Sequence, residues 1–262
     1  MNSNLFKILI LIFVFSSKIV FSQNTRINEN NTIGWYNYFG TFKLSKHWGI
    51  HTEYQWRRTE LITAWQQSLL RIGVNYQLDP KVQVRLGYAW IETFPYSTTP
   101  INVFGKDFTE HRTYQMITIT DKAGIVGFSH RFMLEQRWTG KYSDASLEKE
   151  DSFVYSNRMR YMFRTQVPLK GQTIGDKTPY AAIYDEIFIG FGKNVNANIF
   201  DQNRLGILLG YQFNKNFKLE GGYFNQIVML GRKINNNTNN VVQYNSGIIL
   251  NAILNFDFTK PN

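Results

Sequence analysis

Apolar and polar side chains alternate along most of this chain. The clearest example runs from Tyr244 to Phe258, where every second position except Ser246 is apolar or aromatic, and the positions between include three asparagines. Because successive side chains of a strand point to opposite faces, this period of two predicts a β-strand with one apolar and one polar face. The alternation recurs in ten further segments: 34–44, 48–57, 67–78, 82–90, 109–120, 128–138, 153–166, 180–192, 204–213 and 217–231.

Two all-β architectures suit this pattern. A soluble exported β-sandwich would turn its apolar faces to a core, whereas a membrane barrel would turn them to lipid and line its lumen with the polar faces. Nearly every segment opposes an apolar face to Arg, Glu and Gln, which favours the barrel. Aromatic residues form 16% of the chain, as expected if rings gather in girdles at the membrane interfaces.

We therefore predict an all-β fold, a single antiparallel transmembrane β-barrel of ten to twelve strands. Twelve are favoured over the eleven segments counted, because single-chain bacterial barrels have an even number of strands. Either residues 24–34 hold a further strand or one is missed elsewhere; residues 24–32 are polar and are otherwise expected to be loosely structured.

The N-terminus predicts export. Lys7 precedes a short apolar run from Ile8 to Phe15, which Ser16, Ser17 and Lys18 interrupt, and Val20-Phe21-Ser22 follows with tolerated residues at the −3 and −1 positions. This arrangement is typical of a secretory signal peptide cleaved near Ser22, and the run is too short to span a bilayer as a helix. We predict a signal peptide over residues 1–22, a barrel domain over residues 23–262, and the cell outer membrane as the location.

Arginine is concentrated on the polar faces of the segments, with several acids able to oppose it. Bare charges in a narrow lumen are costly, so we expect paired charges there. The predicted lumen network comprises Glu53, Arg71, Arg85, Arg112, Arg131, Glu135, Arg137, Arg158, Arg160, Arg164, Glu186, Arg204 and Glu220. A barrel of this size lies between filled and open lumens. The network is therefore either structural or part of a narrow pore or binding site for a small solute or anion.

Other chemistry finds little support in the residues. The chain has no cysteine and four histidines, and no spacing typical of a metal site. We predict no catalytic residues, metal or cofactor. The alternative of an outer-membrane lipid hydrolase would need a Ser–His pair from distant strands, since Ser129 and His130 point to opposite faces. His111 is expected in the lumen network and His130 near the lipid. The net charge of +10 is spread through the strands, which argues against nucleic-acid binding.

Short motifs in a fixed order carry a family resemblance. They are Glu110-His111-Arg112-x-Tyr114-Gln115, Leu134-Glu135-Gln136-Arg137-Trp138, Asn157-Arg158-x-Arg160-Tyr161, Tyr184-Asp185-Glu186, Asp201-Gln202-Asn203-Arg204 and Gly222-Tyr223-x-Asn225-Gln226. From about Trp35 to Phe258, the chain resembles an uncharacterised bacterial outer-membrane family known as domain of unknown function 2490. The resemblance implies a porin-like β-barrel in the outer membrane of a Gram-negative cell, and it transfers no catalytic residue.

The last strand also resembles the targeting signal of outer-membrane barrels. That signal usually ends in an aromatic residue, whereas here Phe258 is followed by Thr259–Asn262. The expected partners are therefore outer-membrane lipids, the barrel-assembly machinery through this strand, and a small solute or anion.

Overall fold

The computed structural model describes residues 26–195 and 199–259, and this part of the chain forms a closed β-barrel. The predicted signal peptide lies outside the described residues. The barrel has eleven strands among them: β1 (Arg26–Lys43), β2 (Trp48–Thr59), β3 (Ala64–Asp79), β4 (Val82–Thr93), β5 (Phe108–Ala123), β6 (Val126–Lys141), β7 (Ser152–Pro168), β8 (Thr178–Phe191), β9 (Phe200–Asn214), β10 (Phe217–Ile234) and β11 (Asn239–Asp257). Each strand pairs with its neighbours in the chain, and β1 pairs with β11. The sheet closes on itself, which makes the β-sandwich alternative wrong.

The strand number lies within the predicted range, but the preference for twelve strands is wrong. The polar residues expected to be loose lengthen β1, which begins at Arg26, instead of forming a separate strand. An odd number of strands joined by hairpins leaves the first and last strands running in the same direction. The β1–β11 pairing is accordingly parallel, while the other pairings of the barrel are antiparallel.

Side chains define the register of this parallel seam, which no hairpin constrains. Asn31 donates its amide N–H to Asn245 at 2.8 Å, and Asn37 donates to Asn251 at 2.8 Å. A salt bridge of 3.0 Å between Lys43 and Asp257 forms the next rung. All three pairs lie opposite one another in the β1–β11 register. A shift along the seam would break the three contacts together, so they favour a single closure of the barrel.

The two ends of the barrel differ. One end, called the turn end below, carries the tight turns 80–81, 124–125 and 215–216. Their chemistry is local: the Asp79 carboxylate accepts the backbone N–H of Lys81 at 2.7 Å, and the Asn214 amide oxygen accepts that of Asn216 at 2.9 Å. The opposite end, called the loop end, carries the longer loops 94–107 and 142–151.

The outer face of the wall is apolar and exposed. Large hydrophobic side chains such as Leu86 and Leu209 are more than half exposed on it. Aromatic rings gather near both ends, in the pairs Trp48–Tyr76, Phe213–Phe217 and Phe42–Phe256 at the turn end and Trp56–Trp65 and Trp138–Tyr155 at the loop end. Within the described residues, no helix has the length and apolar character needed to cross a membrane.

The lumen is filled in part by apolar side chains, which the prediction of a polar lumen did not include. Trp35 and Phe224 form the centre of one cluster, with ring centroids 4.4 Å apart. Tyrosine rings also pack closely against glycines of neighbouring strands, as Tyr184 does against Gly206. Only a residue without a Cβ leaves room for such a ring. Together these side chains fill part of the lumen beside β8–β11 and β1.

Candidate functional site

A layer of ion pairs lines the lumen along consecutive strands and is centred on Glu135. This β6 carboxylate pairs with two arginines of the adjacent β7: Arg158 Nη2 lies 2.6 Å from Oε2 and Arg160 Nη1 lies 2.8 Å from Oε1. Arg112 Nη1 of β5 approaches Oε1 at 3.8 Å. All four residues belong to the inward faces of their strands, because they share the phase of the buried positions.

The layer extends to both sides through the same arginines. Arg158 reaches Asp201 of β9 at 2.6 Å, and Arg160 reaches Glu186 of β8 at 2.7 Å. Glu186 also accepts Arg131 at 2.8 Å. On the other side, Glu110 of β5 accepts the Nε of Arg112 at 2.7 Å and of Arg137 at 2.5 Å. Side chains of five consecutive strands thus form one continuous network, defined here as the Arg/Glu layer.

Two smaller ion pairs stand apart from the Arg/Glu layer. Glu53 of β2 pairs with Arg71 of β3 at 2.7 Å and with the His51 ring nitrogen at 3.2 Å. Glu220 of β10 pairs with Arg164 of β7 and accepts the Tyr180 hydroxyl at 2.8 Å. Side chains of the layer and of the separate pairs are buried alike: the exposed fraction is 1% for both Glu135 and Arg158 in the layer and 3% for Glu53 in a separate pair.

Four lumen-lining arginines have no carboxylate within ion-pair distance among the described residues: Arg57, Arg85, Arg204 and Arg232. Arg232 donates to the Pro100 carbonyl at 2.8 Å. Arg85 donates its Nε to the amide oxygen of Asn75 at 2.5 Å. Arg204 donates its Nε to Gln202 at 3.0 Å. Arg57, which the predicted network left out, donates to the amide oxygens of Gln55 and Gln67. Their positive charges are therefore bonded to neutral groups only.

Arg57 and Arg204 contact the same aromatic ring. Their guanidinium carbons lie 3.7 Å and 4.9 Å from the centroid of the Trp35 ring. The indole N–H donates to Gln66 at 2.7 Å and so holds the ring in place. Cation–π contact stabilises each guanidinium but leaves its charge unneutralised.

A cavity of about 460 Å³, here called the vestibule, opens above the Arg/Glu layer at the loop end. Two acids contribute to its wall, Glu110 and Asp201. The basic residues are more numerous: Arg57, Arg112, Arg137, Lys141, Arg158, Arg204 and Arg232. Seven basic groups against two acids give a net formal charge of five positive units, which creates a positive potential inside the vestibule.

The loop 94–107 folds into the mouth of the vestibule. The Glu29 carboxylate accepts the Ser97 hydroxyl at 2.6 Å and the backbone N–H of Thr99 at 3.2 Å. The Tyr96 side chain is buried and accepts the amide N–H of Asn245 at 3.2 Å. Burial raises the pKa of the Tyr96 hydroxyl, so this group stays neutral. The loop is thus held from β1 and β11, although it connects β4 and β5.

Two acids of the site were missing from the predicted network. Asp201 precedes the predicted segment 204–213, but it lies in β9 and pairs with Arg158. Glu110 was also left out, and the structure turns it inward, as it does the predicted Glu186. The signal for Arg57 was present, because it follows Gln55 on the polar face of β2.

The histidine expectations have mixed outcomes. His111 is not part of the lumen network; it lies on the outer face, where its Nδ1 is 2.6 Å from the Tyr88 hydroxyl. The inward phase of its neighbours Glu110 and Arg112 requires this. His130 is also on the outer wall, 2.9 Å from the Tyr161 hydroxyl. Among the described residues, neither ring is hydrogen-bonded to a serine, and no cluster of three potential metal ligands occurs.

The fold and the site together define a class: a closed β-barrel with an apolar outer face and a charged, largely buried lumen. The model of the family described as "Protein of unknown function (DUF2490)" matches residues 32–238, and the chain belongs to this family. Curated proteins gave no match. Among solved structures, the chain is similar to one titled "NanC porin structure in rhombohedral crystal form", with 15% identity, a TM-score of 0.44, and coverage of 82% of this chain and 94% of that one.

Proposed function

We propose that this protein is a non-enzymatic barrel of the cell outer membrane, closed at mid-height by the Arg/Glu layer, whose vestibule binds a small anionic solute. The observation that carries the proposal is the vestibule itself. Two of its buried arginines, Arg57 and Arg204, have no carboxylate partner among the described residues. A buried cation without a counter-ion is costly, and a bound anion would remove that cost.

The outer wall supports the membrane location. Exposed leucine, isoleucine and valine side chains would be unfavourable in water but suit lipid, and rings near both ends suit the two interfaces. Under this proposal the signal peptide over residues 1–22 directs export and is removed. The barrel-assembly machinery then recognises the final strand, and outer-membrane lipids surround the barrel. Long loops of such barrels face the outside, so the vestibule opens to the exterior.

The burial of the Arg/Glu layer supports a closed lumen over an open pore. A charged group beside a water-filled channel stays hydrated, whereas Glu135 and Arg158 are each only 1% exposed. Barrels of about eight strands are filled by side chains, and those of about sixteen leave a channel. Eleven strands with tyrosines and Trp35 in the lumen fall on the filled side.

Purified protein can test each part. Membrane fractionation, together with faster migration on a gel without heating, would support a membrane barrel; recovery in the soluble fraction would contradict it. In planar bilayers we expect no steady conductance, and a stable anion-selective current would refute the closed lumen. Calorimetric titration with acetate, gluconate and inorganic phosphate should detect binding of at least one anion, whereas uncharged sorbitol should give no signal. Absence of binding by every anion would refute the vestibule function.

A further inference from the structure

Arg204 has an unused binding edge inside the vestibule. The residue is 8% exposed and lines the cavity. Its Nε donates to Gln202 at 3.0 Å, while neither terminal nitrogen has a hydrogen-bond partner among the described residues. The guanidinium contacts the rings of Trp35 at 4.9 Å and Phe188 at 4.5 Å from their centroids. Ring contacts of this kind orient a guanidinium and leave its in-plane N–H groups free.

Arg57 adds a second positive charge beside this edge, but its own donors are already occupied. Its donors are occupied by the amide oxygens of Gln55 and Gln67, and its guanidinium contacts the same Trp35 ring. Two unneutralised cations therefore share one indole ring in a buried region. An anion on Arg204 would relieve their mutual repulsion, because it would sit close to both charges.

The geometry of the free edge selects the kind of anion. The two terminal nitrogens of a guanidinium present parallel N–H groups, which match the two oxygens of a planar carboxylate. Arg204 presents a single edge of this kind and the neighbouring Arg57 already donates to Gln55 and Gln67, so the site beside Trp35 pairs with one carboxylate. The volume of about 460 Å³ lies in the range of small-molecule sites.

We propose that the vestibule takes a compact organic monocarboxylate, whose carboxylate pairs with the terminal nitrogens of Arg204. This inference rests on the anion-binding vestibule proposed above and specifies its ligand class. Arg204 is the anchor for the ligand, and Trp35 positions that anchor. The arginines of the Arg/Glu layer that reach the vestibule, Arg112, Arg137 and Arg158, are already paired with Glu110, Glu135 or Asp201.

Matched ligands and matched variants test the proposal. Gluconate carries a carboxylate where sorbitol carries an alcohol, and sorbitol 6-phosphate carries a dianionic phosphate on the same carbon skeleton. Titration of the full-length barrel should show binding of gluconate and none of sorbitol. The Arg204→Gln variant should weaken gluconate binding by about tenfold or more, the value of a charged hydrogen bond. Arg85→Gln is the control, because Arg85 is also bonded to one amide oxygen but lies outside the vestibule.

The outcomes separate this inference from the proposed function. Binding of sorbitol 6-phosphate without gluconate would overturn the monocarboxylate assignment and leave an anion-binding vestibule. Absence of binding by gluconate, sorbitol 6-phosphate, acetate and inorganic phosphate would overturn both proposals. Unchanged gluconate binding by Arg204→Gln would show that the anchor lies elsewhere. If Arg204→Gln fails to fold, as judged by heat-modifiable migration, Arg204→Lys replaces it: it keeps the charge but loses the paired N–H edge, so weaker binding is expected and equal binding would contradict the assignment.

Discussion

Replacing Arg158 by leucine removes the most enclosed cation of the lumen. Arg158 donates its Nε to Glu135 at 2.7 Å and its Nη1 to Asp201 at 2.6 Å. Without it, Glu135 keeps Arg160 at 2.8 Å, but the nearest cation to Asp201 is Arg137 at 3.8 Å. The substitution therefore leaves one carboxylate half-neutralised and the other without a close partner.

The expected loss in the free energy of unfolding follows from the different partners that remain for the two carboxylates. Removing one partner of a buried ion pair costs about 3–5 kcal/mol. The Asp201 side chain is 17% exposed at the wall of the vestibule and can recover some hydration. We therefore expect Arg158→Leu to lower the free energy of unfolding by about 3 kcal/mol, the lower end of that range. Lys149→Leu, in the exposed loop 142–151, should stay within about 0.5 kcal/mol.

Urea unfolding in lipid vesicles, followed by tryptophan fluorescence and heat-modifiable migration, provides the assay. The double variant Arg158→Leu, Asp201→Asn separates an uncompensated charge from a loss of packing, because Asp201 is the carboxylate that Arg158→Leu leaves without a close partner. Removing both charges should recover part of the stability if charge dominates. Equal unfolding midpoints for Arg158→Leu and Lys149→Leu would refute an interlocked lumen. No recovery in the double variant would assign the cost to packing.

Two further predictions concern the loop 94–107 at the mouth of the vestibule and the packing of the lumen. Glu29→Ala removes the carboxylate that holds the loop 94–107, so trypsin should cut this loop several times faster. Glu148→Ala, an exposed control, should leave the cleavage rate unchanged. Equal cleavage rates for the two variants would show that Glu29 does not hold the loop. Gly206→Val forces a side chain into a tyrosine ring and should destabilise the barrel by about 1–3 kcal/mol. Gly175→Val, which meets open space, should change the urea midpoint little, and equal midpoints would show that the ring gives way freely.

The faces of the strands were predictable from the sequence because each depends only on local alternation. In β11, Asn245 and Asn251 are buried in the lumen, and Ile248 and Leu250 are exposed on the outer wall, as the period of two predicted. The long β1 was not predictable in this way. Its polar start, residues 26–32, pairs with β11 residues more than two hundred positions away, so no local pattern reports it.

The ion pairs were predictable in kind but not in detail. Arginine on inward faces implied acidic partners, yet Arg158 meets Asp201 from two strands further along the barrel wall. Which arginine keeps a free edge depends on distances across the lumen, and strand spacing holds no information on them. His111 shows the same limit in another form: it was expected in the lumen network, but its ring lies on the outer face of β5.

The lumen contains more arginines than acids, so some of its arginines have no acidic partner. If all of them served only to hold the walls together, selection for stability would favour balanced pairs, since an unpaired buried cation is costly. Pairing alone does not mark the vestibule, because Arg71 and Arg164 are paired outside the Arg/Glu layer and Arg85 is unpaired outside the vestibule. Arg57 and Arg204 differ from Arg85 in that both contact Trp35 at the wall of the cavity at the loop end. Under the proposed function, an anion that enters from the loop end meets these two charges together, and its binding removes the cost of burying them.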